Sequence, residues 1–279
     1  VYIEAAAGND TITGGLGNDT LSGGEGRDQL IGGAGDDILH GGMHADWLDA
    51  GAGDDHLYFD AFDTMVLGGV LGGAGTDTGY FDAQGQENTS INLTKSSLEV
   101  LYGDTSSDLV TAHLKTEAIL VYANDGADII LGGLGDDIIH GEAGTDVLNG
   151  GTGADQLSGG EGNDEITFDS ADTLVDGGEG YDTGILQSVS GETVTVNLHD
   201  LNLERVFSQS GNDTLNASEL QQAANLQAGA GADTLTGSQY NDLLRGDDGN
   251  DVLTGGLGSD QLQGGQGNDT LYFDISDSL

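Results

Sequence analysis

A nine-residue phrase recurs through this chain, and its period constrains the fold more than any other feature. From Gly14 the sequence reads GGLGNDTLS, GGEGRDQLI, GGAGDDILH, GGMHADWLD and AGAGDDHLY, preceded by a degenerate copy, AAAGNDTIT. A second block reads NDGADIIL, GGLGDDIIH, GEAGTDVLN, GGTGADQLS and GGEGNDEIT; a third reads AGAGADTLT, GSQYNDLLR, GDDGNDVLT, GGLGSDQLQ and GGQGNDTLY. The sixth position is Asp throughout: Asp10, Asp19, Asp28, Asp37, Asp46, Asp55; Asp128, Asp137, Asp146, Asp155, Asp164; Asp233, Asp242, Asp251, Asp260 and Asp269. Two residues after each stands Leu or Ile, as at Ile12, Leu21, Leu30, Leu39, Leu48 and Leu57. Self-similarity at a short fixed period marks a solenoid, here with a thin core made of those aliphatic residues.

Composition sets a condition on that fold. The 279 residues include 49 acidic and five basic side chains, for a formal net charge of −44, with 51 Gly, no Pro and no Cys. Self-repulsion at that charge opposes compaction, yet 36% of the residues are hydrophobic. Together these imply a chain that is compact only when its acid is neutralised. Asp outnumbers Glu roughly three to one, and the shorter carboxylate suits a tight loop that wraps a cation. The charge excludes nucleic acid and anionic membrane as partners, since both are bound through Lys and Arg; Arg27, Lys95, Lys115, Arg205 and Arg245 are scattered. No stretch has the apolar length of a membrane span, and no signal-peptide pattern opens the chain. A start at Val1 reads as a piece of a longer protein.

The repeats resemble the repeats-in-toxin (RTX) nonapeptide, a calcium-binding parallel β-helix repeat. The resemblance implies an all-β fold, a parallel β-roll or β-helix solenoid. The GGxGxD half would form a turn and the rest of the phrase a short strand, with two nonapeptides to a coil. Gly permits positive φ, so main-chain carbonyls can face an ion, and Asp supplies the hard oxygens that calcium takes in sets of six to eight. One loop cannot complete such a shell, so each ion is expected between a loop and the next but one along the chain. That groups Asp10, Asp28 and Asp46 on one edge and Asp19, Asp37 and Asp55 on the other. Later groups are Asp128, Asp146 and Asp164; Asp137 and Asp155; Asp233, Asp251 and Asp269; Asp242 and Asp260. Sharing of loops leads us to expect roughly ten calcium ions.

A longer repeat overlies the short one. YFDAFDTM, TFDSADTL and YFDISDSL each close a nonapeptide run, and one long interval separates Phe168 from Phe273, Asn92 from Asn197 and Glu99 from Glu204. Phe59 to Phe168 is slightly longer, which we assign to an insertion at 68–71, GGVL. Asp182 stands two nonapeptide lengths beyond Asp164 and continues its column; Asp77 is the matching candidate, with its phasing broken by the insertion. Thr64 and Thr173 stand where the other column needs Asp and are expected to stop it. His44 replaces a loop Gly beside Asp46, which casts suspicion on that site. The expected organisation is a first roll block at 1–79, a β-helical connector at 80–123, a second block at 124–184, a connector at 185–228 and a third block at 229–279. Alternation in TSINLT and ETVTVNL favours strands in the connectors, although SELQQAANL also has the look of a short helix. Asp108 and Asp213 occupy matched connector positions and suggest one weaker ion site in each.

Nothing in the sequence argues for an enzyme. The six His lack zinc-site spacing, and neither a GxSxG nor a phosphate-loop motif occurs. The third loop position reads Leu16, Glu25, Ala34, Met43 and Ala52, not the regular Thr or Asn row that ice binding needs. The resemblance implies a structural module of a large secreted bacterial protein, an adhesin, surface-layer protein or toxin. Such a protein would be exported by type I secretion and would fold on calcium outside the cell. The alternatives are an accessory region of a secreted protease, lipase or epimerase, or a module whose connectors bind a glycan or a protein.

Overall fold

The computed structural model describes residues 1–64, 69–83, 89–187 and 192–277. Among them helix is confined to two short turns, Ala61–Thr64 and Leu93–Ser96, and the strands pair in parallel. The fold is the expected parallel β-solenoid. It divides into two compact units, Val1–Gln156 and Leu157–Leu279.

In the first unit, strands Tyr2–Glu4, Thr20–Glu25, Ile38–Met43 and His56–Asp60 stack in one sheet. Thr11–Leu16, Gln29–Ala34 and Trp47–Ala52 stack in another. Thr20 lies against Ile38 and Ile38 against His56, so two nonapeptides complete one coil. Residues on either side of the inward Leu face out, which leaves one buried row per sheet: Leu21, Leu39 and Leu57 in one, Leu30 and Leu48 in the other, all fully buried. Each such Leu contributes about 1.5–3 kcal/mol by leaving water. A core this narrow offers few further apolar contacts.

The connectors are coils of the same solenoid with longer turns. Register runs His56 to Thr78, Thr78 to Val100, Val100 to Leu120 and Leu120 to Ile138. The coil thus lengthens beyond two nonapeptides through the connector and returns to that length at Ile138. In the second unit register runs Glu165 to Thr183, Arg205, Asn225 and Leu243, with the same lengthening and return. The long repeat is therefore a repeat of coil lengths. The excess in its first copy falls within the coil that ends at Thr78, and Leu48 pairing with Val70 puts it before Val70; residue 68 of the expected insertion lies outside the described residues. The segment that resembled a helix, residues 218–226, forms turns and then enters strand Asn225–Gln227, which places Leu226 in the buried row.

The closing FD phrases also serve the core. Gly79 and Gly184 occupy inward positions where other coils carry Leu. A Cβ at Gly79 would sit 2.7 Å from Leu98 Cδ1 and 2.9 Å from Phe59 Cε1, and one at Gly184 would sit at the same distances from Leu203 Cδ1 and Phe168 Cε1. Phe59 and Phe168 thus fill the space from the preceding coil.

Candidate metal centre

Each loop Asp uses its two carboxylate oxygens differently. Oδ1 accepts the main-chain N–H of the loop Asp one coil earlier. On one edge of the first unit Asp10 donates to Asp28 (2.8 Å) and Asp28 to Asp46 (2.7 Å); on the other, Asp19 donates to Asp37 (2.8 Å) and Asp37 to Asp55 (2.7 Å). Farther along, Asp128 donates to Asp146 (2.8 Å) and Asp137 to Asp155 (2.7 Å). In the second unit the donors are Asp164 to Asp182, Asp233 to Asp251, Asp251 to Asp269 and Asp242 to Asp260, at 2.8–3.1 Å.

The second oxygen faces its own loop. At Asp19, Asp28, Asp37, Asp46, Asp55, Asp77, Asp108, Asp128, Asp182, Asp233 and Asp251, Oδ2 is buried and accepts no hydrogen bond among the described residues. In the nonapeptide loops the first Gly of the same loop lies beside it, and facing both is a main-chain carbonyl of the next coil. A Cβ at Gly14 would fall 2.7 Å from the Gly32 carbonyl oxygen and closer still to Asp19 Oδ2. At Gly246 it would fall 2.6 Å from the Gly264 oxygen and press on Asp251 Oδ2. Glycine is required there because any side chain would fill an oxygen-lined hollow.

A buried carboxylate oxygen without a donor costs about 1–3 kcal/mol, and more when charged, so a row of them calls for a cation. Carboxylate plus carbonyl oxygen is the donor set calcium takes. Among the described residues no three His, Cys, Asp or Glu side chains converge, so carboxylates alone form no cage and main-chain oxygens must complete any shell. Burial pushes the carboxyls of Asp46, Asp77, Asp182 and Asp233 up to about 6 and that of Asp128 to about 7, against the pull of the N–H each accepts. Burial also raises Asp37, Asp55, Asp108, Asp251 and Asp260.

The remaining aspartates divide by position. Asp55 donates to Asp77 Oδ1 (3.1 Å) across the lengthened coil, so the insertion leaves that column continuous. Asp164 Oδ2 faces Gly159 and Asp269 Oδ2 faces Gly264, as in the other loops. Asp137 and Asp242 open their columns and have both oxygens engaged. Asp137 accepts from Ile119 (3.0 Å) and Gly133 (2.7 Å), and Asp242 from Ala224 (2.7 Å) and the Ser238 N–H and hydroxyl. In the connectors, Asp108 donates to Asp128 (2.6 Å) and Asp213 to Asp233 (2.7 Å), tying both into the columns. His44 adopts φ 82°, taking the left-handed role of the Gly it replaces. The Asp46 loop keeps its hollow, where a Cβ at Gly41 would lie 2.9 Å from Asp46 Oδ2 and 3.1 Å from Asp63 Oδ2.

The sequence reading missed the column ends. Asp63 accepts the Asp46 N–H at Oδ1 (2.6 Å) and the Asp60 N–H at Oδ2 (2.8 Å), and Asp277 does the same for Asp260 (3.1 Å) and Asp274 (2.6 Å). Asp172 accepts the Asp169 N–H (2.8 Å) in the same internal turn. The second Asp of FDxxDT is thus a cap, one position short of where the nonapeptide period places the next loop Asp. Thr173 follows Asp172 directly in the chain, and the side chain of Thr64 lies outside the described residues. The other edge closes on glutamate. Asp77 donates to Glu99 (3.1 Å) and Asp182 to Glu204 (2.7 Å), while Lys115 and Gln222 occupy the second glutamate oxygens at 3.0 and 2.6 Å. The matched positions of Glu99 and Glu204 in the long repeat were the available signal.

The family model for the RTX calcium-binding nonapeptide repeat matches residues 2–30, 22–57, 122–157, 140–175, 149–183, 227–262 and 245–275, together more than half of the chain. No curated protein matches the chain.

Proposed function

Since the chain belongs to the RTX calcium-binding nonapeptide repeat family, we propose that its aspartate columns hold calcium and that calcium switches on its folding. The observation that carries this reading is the row of buried Oδ2 atoms without donors, set beside Gly hollows and facing carbonyls. Before calcium enters, a net charge of −44 keeps the chain expanded. Ions taken up between loops cancel that repulsion and order the turns, so binding energy becomes folding energy. Roughly ten ions, each shared by two loops, account for the columns.

The module serves a secreted bacterial protein as a structural array, exported unfolded and folded outside. Extracellular calcium modules bind at about 10⁻⁴–10⁻³ M, which leaves the sites empty in cytosol and filled outside. Its own residues supply no catalytic constellation in this reading, and the parent is an adhesin, surface-layer protein or toxin. Calcium titration followed by far-UV circular dichroism and isothermal calorimetry tests the switch. A chain already β-rich in excess chelator, or one taking only one or two ions, would rule it out.

A further inference from the structure

The outward face of the first unit carries a feature that the second unit lacks. His40, Tyr58, Tyr80, Tyr102, Tyr122 and His140 occupy one row across successive coils. Their rings stack face to face at centroid separations of 4.2, 4.6, 5.3, 5.1 and 4.8 Å, with interplanar angles of 17° or less. The same row in the second unit reads Thr167, Ile185, Phe207, Gln227 and Arg245. Those coils close without a ring ladder, so coil formation does not account for it.

At the His40 end the ladder borders a cleft of about 290 Å³. In the next outward row Gly42, Asp60 and Asp82 follow the three rings, with Tyr58 beside Tyr80 and Asp60 beside Asp82 in register. Gly42 has no side chain to fill the space, Phe59 and Phe81 underlie it, and no Lys or Arg lines it. Asp60 is only 2% exposed. Its Oδ1 accepts the N–H groups of Phe62 (2.7 Å) and Asp63 (3.3 Å), and its Oδ2 accepts no hydrogen bond among the described residues. The position that matches Asp82 in the second unit is Gln187, next to Leu186 and Ile185, whereas Asp60 keeps a counterpart in Asp169.

We propose that this cleft binds an alkylammonium or alkylguanidinium group, its charge held between Asp60 and Asp82 and its aliphatic stem lying along Tyr58 and Tyr80. The volume is far larger than a calcium ion needs, and the aromatic wall does not suit a hydrated metal. Apart from the outer faces of His40 and His140, the ring faces are covered by one another, so Tyr58 and Tyr80 offer no open platform on which a sugar ring could stack. A cation with an apolar stem satisfies both walls, since a charge-assisted contact to a buried carboxylate is among the stronger polar interactions.

The test uses the full chain in saturating calcium and physiological salt, so it does not depend on the calcium switch. n-Butylammonium is titrated against the Tyr58 and Tyr80 ring resonances by NMR, with n-butanol as the uncharged control. We expect saturable binding of the amine alone. Asp82→Gln and Tyr80→Ile, which install residues the second unit already tolerates, should each weaken it roughly tenfold with calcium uptake and circular dichroism unchanged. Equal binding by n-butanol, or undiminished binding in both variants, would overturn the proposal. A lysine-bearing peptide that binds with the same dependence on Asp82 identifies the source as a protein side chain; binding of the free amine alone identifies a small molecule.

Discussion

The nonapeptide runs and the connectors are built on one solenoid yet are held together differently. In the runs each coil spans two nonapeptides, and the loop Asp residues, apart from Asp137 and Asp242 where the columns open, turn an oxygen toward a Gly hollow. In the connectors the coils are longer, and the column either passes through one Asp or closes on Glu99 or Glu204, whose second oxygen already accepts a hydrogen bond from Lys115 or Gln222. Their cores are alike, with Leu101 and Val121 as fully buried as Leu21 and Leu39. The difference is therefore electrostatic. On the edge that closes on Glu99 or Glu204 a connector completes its polar contacts from its own chain, whereas a run leaves them for an ion.

Chelation should separate the two most sharply. Removing calcium should abolish hydrogen-exchange protection at Leu30 and Leu48 first, while Leu101 and Val121 keep some; simultaneous loss would show one cooperative unit and erase the distinction. Next comes pH. The carboxyls raised to about 6–7 keep protons that the unfolded chain has released above about 4, so the metal-free fold should lose stability as pH rises through that window. With calcium present the trend should reverse, because ligands bind deprotonated. Melting temperatures at pH 5 and 7.5, with and without calcium, check both signs.

Single substitutions probe smaller effects. Asp37→Asn keeps an acceptor for the Asp19 N–H but removes a charge from the hollow, so calorimetry should count at least one ion fewer; Glu99→Gln should leave the count unchanged. Asp63→Ala leaves the Asp46 and Asp60 N–H groups without their acceptor and should cost about 1–3 kcal/mol in calcium-loaded denaturation. Lys115→Met, which breaks the connector's ion pair with a partly exposed Glu99, should cost about 1 kcal/mol or less.

Much of this was legible in the sequence because a strand period of two and a repeat period of nine agree on the same inward residue. Leu21, Leu30, Leu39 and Leu48 could be placed from spacing alone, and so could the pairing of Asp19 with Asp37. What escaped were contacts off the period. Asp63 works at a spacing of 17, and Glu99 and Glu204 at 22, because longer coils and a longer side chain reach the same N–H by another route. Gly79 was opaque for a different reason: its partner Phe59 comes from the preceding coil, and only the register brings them together. The ring ladder and its cleft were equally hidden, since Tyr58, Tyr80, Tyr102 and Tyr122 share no fixed interval that matches the nonapeptide.

The head-to-tail bonding of the columns also limits how such a gene can change length. Every N–H donor reaches forward to a carboxylate on its own edge, and only the cap matched to that edge can end the series. Losing or gaining a pair of nonapeptides preserves the arrangement. A slip of a single one would carry every downstream loop to the opposite edge, presenting Asp63 to the donors that now run to Glu99. Growth and shrinkage are thus quantised in whole coils, although the repeat visible in the text is only half of one.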